Sequence, residues 1–347
     1  MTDIEPGVDW RIELDDFVSV LETAPSLEQA ITGSLGGDVR IVNTSDGSSF
    51  PLKPHEMGTL SAGWSSDGSY VASGGQDGYV HIYNSEGVHT GTIEMTEWIN
   101  ALAWSPEESV LAIGSGKRLT IVNTAGEVLF DFQDQPSTVT DIAWSIDGSR
   151  VGISAYGGIG WHDVSGPRSG RRKRFDWKGS LLALKVSPDG KWACAGAQDS
   201  EVHLWKLWSG KDLSMRGYPS KIEKIAFSDD SRWLAVACLG DLSIWDFSGK
   251  GPAGTEPASA SEHNNHIEDL AWSPACESIV TGGADGRTII WKRPSRAGQK
   301  LLPLAMIGTP WQPVVSAGLA RTVFLLDVKM AVLSKSLSKN KRCPIDT

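Results

Sequence analysis

The residue types able to do chemistry are spread thinly through this 347-residue chain, which carries seven histidines, 42 acidic side chains and four cysteines. What matters is whether any spacing gathers them. No Gly-x-Ser-x-Gly elbow, no His-Glu-x-x-His pair and no phosphate-cradling glycine loop followed by Lys and Ser or Thr occurs. Cys194, Cys238, Cys276 and Cys343 lie far apart without a Cys-x-x-Cys spacing, so they read as reduced structural thiols. His81 and His203 occupy the same place in two similar segments and His162 an aromatic place, which points to packing rather than metal binding. No catalytic residue, metal or cofactor is therefore expected.

One segment offers chemistry of another kind. In a chain of formal net charge −10, "PRSGRRKRFDWKG" (167–179) gathers Arg168, Arg171, Arg172, Lys173, Arg174 and Lys178. The acidic balance argues against attraction of the whole surface to nucleic acid or anionic lipid. This patch (168–178) is left as a local place for an acidic protein surface, a phosphoinositide headgroup or nucleic acid. The plainer reading is a solvated rim that discourages edge-to-edge pairing. A second basic stretch, "KSLSKNKRC" (335–343), reads as a frayed tail. No leader-like N-terminus and no run of about eighteen apolar residues is seen, so the chain reads as soluble and cytoplasmic.

The elements that position these residues repeat every forty residues or so. A short apolar run closed by an aromatic and a turn recurs as "AGWSSDG" (62), "LAWSPEE" (102), "IAWSIDG" (142), "LKVSPDG" (184), "IAFSDDS" (225) and "LAWSPAC" (270). A second run follows each. A third lines up eight times: "VRIVNT" (39), "VHIYNS" (80), "LTIVNT" (119), "IGWHDV" (159), "VHLWKL" (202), "LSIWDF" (242), "TIIWKR" (288) and "VFLLDV" (323). Short runs rich in Val, Ile, Leu and Trp, bounded by Gly, Asp, Ser and Pro, are strands joined by tight turns, so each unit is an antiparallel meander. A fourth, weaker strand follows several units. Helical periodicity is almost absent, with "PSLEQA" (25) the one candidate, and "SGKGPAGTEPASASEHNN" (248–265) reads as a mobile insertion after a unit without a clear outer strand. One such sheet cannot cover both apolar faces, so the units must stack on one another, and radial stacking gives a propeller.

On these residues the sequence resembles the WD-repeat family of β-propellers from about residue 17 to 337. The Trp-Asp dipeptide stands once, at Trp245-Asp246. The resemblance implies a buried hydrogen-bond set joining a His before the first strand, a Ser or Thr in the second, the turn Asp and the third-strand Trp. His263, Thr281, Asp285 and Trp291 match it in full; His55, Ser73 and Asp77 match it with Tyr83 in place of Trp. His263 in "HNNH" is thereby structural. Where the His slot becomes Met95, Gln135 or Tyr218, the hydroxyl slot becomes Ile113, Ile153 or Val236, which reads as apolar packing replacing the whole set.

The expected fold is all-β, a propeller of four-stranded antiparallel blades, eight by the third-strand count with seven as the alternative. Residues 1–16 would form an N-terminal segment whose "VDWRIEL" (8–14) pairs with the terminal blade, 17–337 the propeller and 338–347 a tail. The resemblance further implies a non-catalytic scaffold that binds one or more proteins on the face of loops entering each first strand. Trp98, Asn100, Thr138, Thr140, Lys221, Glu223, His266 and Glu268 project there, as do Gln76 and Gln198 before their turn acids. The rivals are a lipid- or nucleic-acid-binding propeller using the basic segment, or a propeller enzyme with acids around the channel mouth.

Overall fold

A computed structural model describes residues 10, 12–166, 169–273, 278–307 and 322–323. The local cause of its hairpins is visible in the first turn of each unit. Ser65 Oγ donates to Asp67 (2.6 Å) and accepts from the Tyr70 amide (2.9 Å), while Asp67 accepts from the Ser69 amide. The same clasp recurs at Ser145/Asp147, Ser187/Asp189 and Ser228/Asp230. The chain therefore reverses every time a Ser-x-Asp follows the first strand, and β-branched residues extend on either side.

Five sheets have four antiparallel strands in chain order. They are Val18–Thr23, Gln29–Ser34, Val39–Asn43 and Ser49–Pro51; Thr59–Trp64, Tyr70–Gly75, Tyr79–Asn84 and His89–Glu94; Ile99–Trp104, Val110–Ser115, Arg118–Asn123 and Val128–Phe132; Lys224–Phe227, Trp233–Cys238, Asp241–Asp246 and Ala258–Ala260; and Ile267–Trp272, Ser278–Gly283, Thr288–Lys292 and Pro303–Ile307. A sixth sheet has six strands: Asp141–Trp144, Arg150–Asp163, Arg172–Val186, Trp192–Ala197, Val202–Lys206 and Lys211–Met215. Ile12–Glu13 pairs antiparallel with Thr322–Val323.

The described residues thus form six blades, not the eight, or seven, that the third-strand copies suggested. The reason lies in two long strands. Arg150–Asp163 runs without a break through the Gly157-Gly158 turn, and Arg172–Val186 pairs first with Ile159–His162 and then, beyond Ser180, with Trp192–Ala197. Two sequence units are welded into one sheet. Of the last unit only Thr322–Val323 falls among the described residues.

Two further expectations are corrected. The segment 248–265 contains a real outer strand, Ala258–Ala260, paired with Leu242–Ile244 and bridged on its other side to Lys300. "PSLEQA" leads into the strand Gln29–Ser34 and forms no helix.

The core lies between units rather than within one. All but one of the apolar clusters among the described residues draw on two successive units, for example Ala101, Leu119, Ile121 and Phe132 with Val139, Ile142, Trp144 and Ile153. Tryptophans that end first strands fasten neighbours: the indole N–H of Trp104 donates to Gly63 O, that of Trp144 to Ala103 O and that of Trp272 to Ala226 O, at 2.9, 2.9 and 3.0 Å.

Candidate functional site: the loop face

Buried polar sets hold the loops that enter the first strands. His263 lies just before Ile267–Trp272; its Nε2 sits 2.8 Å from Thr281 Oγ1, its Nδ1 3.1 Å from Asp285, and the Trp291 indole N–H donates to Thr281 Oγ1 at 2.9 Å. Asp285 also accepts the Asn264 and Arg287 amides. Burial pushes its carboxyl up, but these donors together with His263 win and hold it below the ordinary carboxylate range. His55 repeats the arrangement with Ser73 (3.0 Å) and Asp77 (3.0 Å). Burial holds the His55 imidazole below its usual pKa despite Asp77. Tyr83 does not join Ser73; its hydroxyl accepts the Lys53 amide at 3.2 Å.

The units that lost the histidine are not uniformly apolar. Tyr218 takes the Trp245 indole N–H on its hydroxyl (2.7 Å) and meets Ser243 at 3.1 Å, so in that unit the polar set is rerouted rather than replaced. Gln135 Oε1 stands 3.3 Å from His162 Nε2. His203 stacks on Trp177, ring centres 3.9 Å apart, and bonds Asp212. Among the described residues no three His, Cys, Asp or Glu side chains are gathered as a metal site.

The loops before first strands and the turns between second and third strands meet at one end of the sheets. Leu35 N donates to Phe17 O (2.8 Å), Gln76 N to Gly58 O, Met95 N to Gly78 O and Ile267 N to Leu239 O (2.7 Å). Trp98 stands out from this end, 53% exposed, with Thr138, Lys221, Glu223, His266, Glu268 and Gln198 also exposed. Lys221 and Glu223 pair at 2.8 Å. Asn100 and Gln76 are half-buried. Thr140 is committed elsewhere: its hydroxyl donates to Leu181 O at 2.7 Å and also meets Ser154.

Sequence reasoning missed most of the apolar side chains on this end. Phe17, Leu35, Met57, Tyr156 and Leu239 are all exposed there, Met57 at 60% and Tyr156 at 58%. A signal existed. Leu35 and Leu239 occupy the slot that directly follows the second strand, the slot of Gln76 and Gln198, and Tyr156 stands just before the Gly157-Gly158 turn within Arg150–Asp163, but only the polar members had been singled out.

Two carboxylates, Glu22 and Asp141, have visible partners. Asp141 accepts the Leu184 amide (2.8 Å) and pairs with Lys185 (3.3 Å), and Glu22 accepts the Trp64 amide (3.0 Å). Each carboxylate ties one first strand to the next, and Asp141 in turn raises the Lys185 pKa. Arg172, Lys173 and Arg174 lie on the outer part of Arg172–Val186, flanked by Arg171 and Lys178; Arg168 lies outside the described residues.

Comparison with known proteins agrees with this geometry. The family model "WD domain, G-beta repeat" matches residues 48–84, 172–206, 212–246 and 255–292. Each stretch takes in the outer strand of one unit and the three inner strands of the next. The small ribosomal subunit protein RACK1 of Drosophila melanogaster is 31% identical over 120 residues, 33% of this chain and 37% of that protein. RACK1y of Oryza sativa subsp. japonica is 29% identical over 125 residues, 35% of this chain and again 37% of the relative. The match thus spans little more than a third of either relative. The crystal structure of the computationally designed Ika8 protein superposes with a TM-score of 0.70 at 19% identity, covering 86% of this chain and 89% of that one, a likeness of fold. On four stretches the chain therefore carries WD repeats, and its four-stranded sheets are the blades of a β-propeller.

Proposed function

We propose that this WD-repeat protein is a non-catalytic, cytoplasmic scaffold that holds partner proteins on its loop face. The observation that carries the reading is the gathering of Phe17, Leu35, Met57, Trp98, Tyr156 and Leu239, all exposed, at the one end where first-strand entries meet second-to-third turns. Exposed large apolar side chains scattered singly need no explanation, but several on one face, rimmed by ion pairs and amides, are what a protein interface uses as anchors. The relatives are named as small ribosomal subunit proteins, that is, as parts of a larger assembly, and a subunit role suits a rigid face of this kind. The carboxylates of Glu22 and Asp141 are engaged as acceptors of neighbouring backbone amides, which supports a structural rather than a chemical role for them.

The test is quantitative capture of partners from the protein's own cells, comparing the natural chain with a Trp98→Ala/Tyr156→Ala variant and with an outer-strand control, Leu304→Ala. Loss of specific partners from the loop-face variant alone is expected. Retention of every partner would overturn the reading.

A further inference from the structure

Away from the loop face, the outer part of Arg172–Val186 differs from every other described outer strand. Residues 171–174 and 178 place five exposed cations there, in a chain of net charge −10. The other outer strands, Ser49–Pro51, His89–Glu94, Val128–Phe132, Lys211–Met215, Ala258–Ala260 and Pro303–Ile307, carry at most one Lys or Arg each. Among the described residues, the strand from Arg172 to Asp176 pairs only with Gly158–His162, so on its far edge the backbone N–H and C=O groups have no described partner strand.

The cations are held in place by aromatic rings and weak exposed pairs. The Lys173 ammonium lies 4.8 Å from the Phe175 ring centre and donates to Trp208 O at 3.1 Å. The Arg172 guanidinium sits 5.4 Å from the Phe132 ring centre and pairs with Asp134 at 2.8 Å; Arg174 pairs with Asp176 at 2.7 Å. Asp134 and Asp176 are 75% and 85% exposed, so an incoming carboxylate can exchange with either at little cost. The side chains of Arg171 and Lys178 have no polar partner among the described residues.

We propose that this edge binds an acidic, extended peptide segment of a partner protein as an added strand. Backbone pairing uses the open edge, and the guanidinium and ammonium groups on either side take alternate carboxylates. A lipid headgroup or nucleic acid fits less well. Neither uses the backbone edge, and the exposed Asp134 and Asp176 stand among the cations where a dense array of phosphates would lie.

The experiment is fluorescence anisotropy with a short labelled peptide alternating Glu and Thr. The other probes are the same peptide N-methylated on alternate amides, phosphatidylcholine vesicles containing phosphatidylserine, and an oligo-dT strand. Expected are binding of the first peptide, loss of about tenfold or more on N-methylation, and new hydrogen-exchange protection confined to residues 172–176. Arg171→Gln/Lys173→Gln/Arg174→Gln should weaken binding by a similar factor. Arg171→Gln/Lys178→Gln, which removes no hydrogen bond or ion pair among the described residues, should weaken it severalfold, and Trp98→Ala should leave it unchanged, separating this surface from the loop face. Equal binding of the N-methylated peptide, tighter binding of vesicles or oligo-dT, dependence on Trp98, or no binding at all would overturn the proposal.

Discussion

Thr281 links its neighbours in a relay of hydrogen bonds. Its oxygen accepts the Trp291 indole N–H and stands 2.8 Å from His263 Nε2, while the other ring nitrogen of His263 faces Asp285. Thr281→Val would strand both His263 Nε2 and the Trp291 N–H in a buried site. The expected loss is about 2 to 3 kcal/mol by urea unfolding, against less than about 1 kcal/mol for Thr281→Ser; equal costs for the two variants would sink the relay. Acid should also act through single residues. Burial is the main cause that brings both His81 and His162 down to about 4, so each binds its proton more readily in the unfolded chain, where the value is about 6.5. Their contribution is fully present above pH ~6.5 and is lost as pH falls toward about 4. Unfolding midpoints measured from pH 7 to 4.5 should fall, and fall less in His81→Phe; a flat profile would contradict this. The His263 set was legible because four side-chain types at fixed spacing leave little freedom. The partner of Tyr83 was not, since a phenol hydroxyl reaches past the point where an indole N–H would stop and finds the Lys53 amide instead.

At the scale of the element, strands and hairpins could be read almost position by position, because the Ser-x-Asp clasp writes itself into the sequence. How strands join into sheets could not. The pairing of Ile159–His162 with the outer part of Arg172–Val186 depends on Gly158, at φ +128°, where an added Cβ would lie 2.2 Å from Phe175 O. Gly158→Ala should therefore cost at least about 1 to 3 kcal/mol, with increased hydrogen exchange in Ile159–His162. A change under about 0.5 kcal/mol would mean the turn can relax. Inter-sheet fastening makes a milder prediction: Trp144→Phe keeps most of the ring volume but loses the bond to Ala103 O, for an expected loss of about 1 kcal/mol, measurable as a lower denaturant midpoint. The outer strand Ala258–Ala260 escaped notice because a three-residue strand of small side chains has no periodicity to detect; its pairing to Leu242–Ile244 and to Lys300 makes it a strand.

For the whole molecule, the all-β propeller was legible from repetition alone, whereas the number of blades was not, since counting third strands assumes that every copy closes its own sheet. Ile12 and Leu14 pack with Ala30 and Val42, and the Trp10 indole N–H donates to Thr44 O at 3.0 Å. Removal of residues 1–16 should lower the melting temperature by several degrees, and an unchanged melting curve would show that this segment is dispensable.

The offset between repeat and sheet has a consequence for any attempt to edit the molecule. Because the stretch 212–246 begins in an outer strand of one sheet and ends in the third strand of the next, excising that stretch as a cassette would wound two sheets at once. Clean seams lie instead at hairpin tips on the surface, and a protein split at such a tip should reassemble from its two fragments when they are mixed.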